Sequence, residues 1–200
     1  WVPEVGWYTW TGKVWRHEDG IAPPMLAMTE ASRALAQGFA DTGQSWYLDA
    51  SQVLRRTAHR TQIEQEMRNL PELRGSIQEM DSHPHLLTFR NGTVDLRTGE
   101  LMAHNPAHNL TQMAKVNYVP DAPAPTWHRF LQEVHPGTGD VRNYLQTFLG
   151  YGITGENREH CFGVWYGHLG RNGKGTIVRA MKSAFGNELV MDVNFSVFEK

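Results

Sequence analysis

Cysteine is almost absent: Cys161 stands alone among 200 residues, which excludes an internal disulfide and any thiolate zinc cluster. That thiol content fits a reducing cytoplasm. Long apolar runs are missing too. No stretch approaches the roughly 18 consecutive apolar residues of a membrane-crossing helix, so no membrane partner is expected. An excess of one charge is also lacking, with 19 Lys and Arg against 21 Asp and Glu and a formal charge of −2. General attraction to nucleic acid is therefore not written into the net charge, and any contact must come from a local patch. The ten histidines form no HExxH pattern. His83 and His85 flank Pro84 in an expected loop, which reads as a solvated turn in preference to a metal site.

What the chain does have is glycine, placed tellingly. Gly170, Arg171, Asn172, Gly173, Lys174, Gly175 and Thr176 stand between an apolar run and an amphipathic stretch. Glycines without a Cβ let successive backbone N–H groups converge on phosphate oxygens, and a helix starting there turns its positive dipole end toward them. Lys174 would reach the β- and γ-phosphates of ATP as a mobile point charge and is the candidate catalytic residue. The pattern G-x-x-x-x-G-K-[ST] is not met literally. Its first glycine position holds His168, with Gly167 one residue too far. Its hydroxyl position, which normally ligates Mg²⁺, holds Gly175. Thr176, one place late, is the candidate Mg²⁺ ligand. The bland alternative is a glycine-rich strand-to-helix turn with a solvated lysine.

The rest of the chain supplies a frame. Trp7–Trp10 and Lys13–Trp15 around Thr11-Gly12 predict an aromatic hairpin, more suited to gluing a sheet to helices than to stacking bases. Met25–Phe39 and Asp49–Asn69 predict two helices, the second stopped before Pro71. Arg55, Arg56 and Arg60 would lie along that second helix, with residues 56 and 60 one turn apart. They are either a solvated face or a phosphate-contacting patch for DNA. Leu86–Arg90 and Thr93–Leu96 around Asn91-Gly92 predict a hairpin with a type I′ turn, followed by a second turn at Thr98-Gly99. Pro120–Pro125 marks an expected domain boundary. Thr126 and Asp140 are expected to cap the next two helices, and Gly150 to end the second. Cys161–Tyr166 has the nearly continuous apolarity of a parallel strand buried on both faces. A helix from Thr176 to Phe185, closed by Gly186, would complete the order strand, glycine loop, lysine, helix.

Several of these stretches together resemble phage and plasmid primase–helicases. They are His83–Leu87 leading into Arg90–Leu101, Val116–Pro120 followed by Pro125–Trp127 and Phe130-Leu131, Tyr144–Gln146, Gly150–Gly155, and the loop at Gly170–Thr176. The resemblance implies an α+β chain. Residues 1–122 would form a mainly helical pre-helicase domain of the poxvirus-type NTPase N-terminal kind, with small β-hairpins. Residues 126–200 would start a superfamily 3 helicase domain, with helices leading into the first strand–P-loop–helix of an AAA+-like α/β ATPase. It further implies ATP and Mg²⁺ as cofactors, Gly170, Asn172, Gly173 and Lys174 as the phosphate loop, and single-stranded or forked DNA as partner. A ring-forming homo-oligomer in a full-length parent and a bacterial host cytoplasm are also implied. The water-activating acid, sensor and arginine finger would lie beyond Lys200, since Asp192 and Glu199 lack the apolar strand that precedes such an acid. The isolated chain is then expected to bind nucleotide weakly and to turn nothing over. No primase chemistry falls on these residues. Two other readings stand beside this one. One is a non-catalytic DNA-binding or oligomerisation module of the same replication protein. The other is a different P-loop NTPase such as a kinase, although a kinase usually carries its loop near the N-terminus.

Overall fold

Pro23 and Pro24 begin the first long helix at the only turn where a missing N–H costs nothing, and Gly43 ends it with φ 71°. The structure, a computed structural model, describes residues 1–137, 139–166, 170, 172–194 and 196. It divides into two units, one of Trp1–Thr11 with Trp15–Met80 and one of Gly12–Val14 with Asp81–Lys200. The architecture is α+β, with helices and small antiparallel sheets.

In the first unit, strands β1 (Tyr8–Trp10) and β2 (Trp15–His17) pair antiparallel, with Trp10 opposite Trp15 as the aromatic pattern requires. Helices α1 (Pro23–Thr42), α2 (Ser45–Arg55) and α3 (Thr57–Asn69) follow. The single helix expected over Asp49–Asn69 is thus two. Arg56 takes an extended conformation, φ −73° and ψ 120°, and separates them. The hydrophobic periodicity continues through the break, so the sequence carries little sign of it. Small residues let α1 and α2 approach closely. Ser51 Oγ donates to Ser32 O at 2.9 Å, Ser32 Oγ reaches Ser51 O at 3.1 Å, and Tyr47 lies where a Cβ on Gly38 would be.

A buried carboxylate ties α3 to the hairpin. Glu64, 4% exposed, accepts from Trp7 Nε1 at 2.8 Å and from Arg68 Nε at 2.6 Å. The Arg68 guanidinium in turn covers the Trp1 ring at 4.3 Å. On the sheet, His17 places Nε2 3.0 Å from Val5 O and Nδ1 2.7 Å from Asp19 Oδ1. Both contacts favour the protonated ring, the Val5 carbonyl most, so the His17 pKa is raised above its usual value.

In the second unit, β3 (Leu86–Phe89), β4 (Gly92–Asp95) and β5 (Glu100–Met102) form an antiparallel sheet in that order. Leu87, Phe89, Val94 and Ala114 are its core, with Leu96, Tyr118 and Phe185 packed against them. The first hairpin exists, but its turn is one residue earlier than expected. Phe89 pairs with Gly92, leaving Arg90 and Asn91 as the loop, neither with positive φ, so the turn is not type I′. Asn91 serves a tertiary purpose instead: its Nδ2 donates to Tyr118 O and its Oδ1 accepts from Tyr118 N, both at 2.8 Å. Gly92 is needed for close approach, because a Cβ there would lie 2.4 Å from Met102 O. The turn at Thr98-Gly99 forms as expected, with Gly99 at φ 73°.

Three helices follow: α4 (Pro125–Val134), α5 (Asp140–Gly152) and α6 (Lys174–Phe185). Ala124 and Gly139, not Thr126 and Asp140, are the residues before α4 and α5, with Pro125 in the first turn of α4. Gly150 lies within α5, which runs on to Gly152. Gly186 closes α6 with φ 91°, as expected. The proline-dense stretch 120–125 lies within the second unit. His85 Nε2 sits 3.0 Å from Glu156 Oε1, and Gly155 N donates to Pro84 O at 2.7 Å, so the loop at residues 83–85 is tied to the end of α5.

The expected buried strand at Cys161–Tyr166 does not form. Phe162, Val164 and Tyr166 are 86%, 78% and 83% exposed. A strand buried on both faces needs flanking strands to satisfy its N–H and C=O groups, and among the described residues no strand pairs with this segment.

Two outcomes follow for the first unit. Glu64→Ala removes the acceptor of a buried indole N–H and should cost about 1–3 kcal/mol in urea unfolding; an unchanged midpoint would show that the network does not hold α3. His17 is protonated more readily folded than unfolded. Its contribution is therefore fully present below the ordinary histidine pKa and fades as pH rises through the higher folded value. An NMR titration should give a raised His17 pKa that falls in Asp19→Asn, whereas an identical titration in both proteins would exclude the Asp19 contribution.

Candidate nucleotide-phosphate site

The loop at residues 170–176 takes its form from glycine. Gly170 has φ 67°, and Gly173 has φ 77° and ψ −5°, the left-handed region that L side chains rarely occupy. Gly173 is constrained a second time. A Cβ there would lie 2.9 Å from Phe130 Cζ and 3.1 Å from Val134 Cγ1, both on α4. The chain can pass through this point only without a side chain. Immediately after it α6 begins at Lys174, and the N–H groups of Thr176 and Ile177 both return to Gly173 O at 3.0 Å. Ile177, 1% exposed, anchors the first turn from within.

A pocket of about 420 Å³ opens over this turn, lined by Phe130, Val134 and the loop with Arg179. Among the described residues its lining side chains include two cations, Lys174 and Arg179, and no carboxylate. Lys174 Nζ donates to Asn172 Oδ1 at 2.7 Å, and an Arg179 terminal nitrogen (Nη2) donates to Thr176 Oγ1 at 3.2 Å. Helix-start N–H groups, a positive dipole end and two cations make a donor-rich surface suited to phosphate oxygens. Mg²⁺ has fewer direct ligands here. Thr176 Oγ1 and Asn172 Oδ1 are the neutral oxygens at hand, so the residues fit the cation only together with phosphate oxygens. Among the described residues no group of three or more His, Cys, Asp or Glu could hold a metal.

The structure therefore gathers Gly170, Asn172, Gly173, Lys174, Gly175 and Thr176 at one pocket, while Arg171, Gly167, His168 and Glu199 lie outside the described residues. Sequence reasoning missed Phe130, Val134 and Arg179. Arg179 was readable, being four residues after Gly175 on the same helix face. The contact of α4 with Gly173 had no local signal.

The arginine candidates of the first unit are not gathered on one helix face. Arg55 Nε donates to Ser32 Oγ at 3.0 Å, and Arg60 donates to Thr29 Oγ1 at 2.7 Å and to Met25 O. Arg56 stands exposed at the break between α2 and α3. Two of the three side chains thus brace α1.

No helix among the described residues is long and apolar enough to cross a membrane. Comparison with curated proteins finds a "Putative primase C962R" of African swine fever virus (Warthog/Namibia isolate), 29% identical over 130 residues, covering 62% of this chain and 13% of that protein. A "Putative helicase L207/L206" of Acanthamoeba polyphaga mimivirus is 26% identical over 115 residues, covering 56% of this chain and 12% of that protein. The matched region is thus about an eighth of the length of either relative. Both come from viruses of eukaryotic hosts, not from the phages and plasmids that the sequence resemblance suggested. Residues 1–136 match the profile of the family described as D5 N terminal like, and the chain belongs to that family.

Proposed function

We propose that this chain is the ATP-binding part of a replicative DNA helicase of primase–helicase type, within a longer protein that couples ATP hydrolysis to DNA unwinding. The observation that carries the reading is the left-handed Gly173 wedged on α4 directly before a helix that starts with Lys174, with cations and, among the described residues, no carboxylate lining the pocket beside it. The viral relatives named as primase and helicase support the replication context.

In this reading the phosphates of ATP sit against the first turn of α6. Lys174 leaves Asn172 Oδ1 for the β- and γ-phosphate oxygens, where a mobile ammonium can follow charge as the γ-phosphoryl group departs. Gly170 and Asn172 shape the loop, while Gly173 and Gly175 allow the backbone to approach. Thr176 would hold Mg²⁺ through its hydroxyl, and the cation when bound would neutralise charge on the same oxygens. The acid that orients water, the DNA strand engaged and a ring of subunits belong to the longer protein in this proposal. Superfamily 3 membership and the start of its ATPase domain near residue 126 are parts of it too.

A rival in which Arg55, Arg56 and Arg60 form a DNA-contacting patch draws less support, because Arg55 and Arg60 are engaged with α1. Arg60→Ala should cost about 1.5–3 kcal/mol in chemical unfolding, the scale of hydrogen bonds from a charged group. Unchanged stability with weakened, less salt-dependent DNA binding would restore the nucleic-acid role. For the main proposal, Lys174→Ala in the full-length protein should lower ATP hydrolysis by at least ~100-fold, the scale of removing one preorganised charge-stabilising donor. Near-normal turnover in that variant would overturn the phosphate-loop assignment.

A further inference from the structure

Gly175 stands where a phosphate loop normally carries its hydroxyl, and an arginine side chain lies beside it. Arg179 lies one turn later on the same face of α6, with one terminal guanidinium nitrogen (Nη1) 3.6 Å from where a Cβ on Gly175 would be. Its other terminal nitrogen donates to Thr176 Oγ1 at 3.2 Å. The guanidinium thus reaches back to the first turn of the helix and lines the pocket that Asn172 and Lys174 also line. It has no carboxylate within ion-pair distance among the described residues. Lys182, three residues on, is paired with Asp192. Arg179 is the sixth residue of α6, one turn past the helix start, and lines the same pocket that an anion held by the helix-start N–H groups would enter. A neutral hydroxyl as its partner leaves most of its five donors for such an anion.

We propose that Arg179 is a phosphate-binding residue of this loop, its guanidinium lying beside Gly175, with the Thr176 hydroxyl as its partner before nucleotide binds. The inference rests on the nucleotide reading of the loop and adds a second cation to it. Arg179 brings a planar fork able to hold two phosphate oxygens at once, where Lys174 brings a point charge. A loop with this fork neutralises part of the triphosphate charge without a metal. Nucleotide binding should therefore survive chelation of Mg²⁺ better than a hydroxyl-bearing loop would allow.

The test is a binding titration of a fluorescent ATP analogue to the full-length protein, with Mg²⁺ and again with a chelator. Wild type, Arg179→Gln, Arg179→Lys, Thr176→Val and Lys174→Ala are compared, with thermal unfolding to confirm folding. Arg179→Gln is expected to weaken binding roughly tenfold or more, the scale of charge-assisted hydrogen bonds, and to weaken it most in chelator. Arg179→Lys should recover part of the loss, because charge returns without the fork. If Lys174→Ala loses binding and Arg179→Gln does not, the inference fails and the nucleotide reading stands. If neither loses binding, the nucleotide reading itself fails. A loss in Arg179→Gln equal to that of Thr176→Val, and the same with and without Mg²⁺, would make Arg179 a positioning residue and overturn the proposal. So would weakened DNA binding with ATP affinity unchanged.

Discussion

Gly173 bears two constraints that admit one residue type. Its φ of 77° excludes a comfortable L side chain, and the Phe130 and Val134 side chains leave no room for a Cβ. Where this residue sits, α6 must start, and Lys174 must follow as the first residue of that helix. The pocket, the lysine's reach and the placement of Arg179 all depend on that start. Ala would be strained there by conformation and by contact together, so relief of one would leave the other. A helix start fixed this firmly is what an anion site made of backbone N–H groups needs, since such groups cannot adjust individually.

The two units are held by different chemistry. The first is stitched by polar contacts within and between helices: serine hydroxyls on opposing carbonyls, arginines on α1, and one buried carboxylate shared by an indole and a guanidinium. The second has an apolar core around Leu87, Phe89 and Val94, into which α6 sends Phe185. Lys115 N donates to Ala184 O at 2.8 Å, so the segment beside the sheet also holds the end of α6. The helix that carries the candidate site is therefore fixed at both ends, by Gly173 on α4 and by Phe185 in the core. Preorganisation of that kind is what charge-stabilising sites require.

Much of this was legible in the sequence because its signals are local. The Trp10 and Trp15 pair, the Thr98-Gly99 turn and the glycine stop after α6 each depend on a few adjacent residues. The misreadings share a cause in tertiary demand. Asn91 suggested a type I′ turn, yet its side chain is committed to Tyr118, and the turn shifted by one residue. Arg56 sat inside an unbroken periodicity, yet the chain breaks there, with Arg55 and Arg60 to either side each reaching α1. Cys161–Tyr166 had the composition of a buried strand, but a strand is defined by the strands beside it, and among the described residues no strand pairs with it. At the candidate site, the glycines and Lys174 were visible as a motif, whereas Phe130 and Val134 could be found only through the fold.

The central claim is that the first turn of α6 holds phosphate. A structure of the full-length protein with a non-hydrolysable ATP analogue and Mg²⁺ tests it most directly. The account predicts the β- and γ-phosphates against the N–H groups that follow Gly173, with Lys174 Nζ moved from Asn172 onto their oxygens. Nucleotide bound elsewhere, with Lys174 still on Asn172, would contradict it.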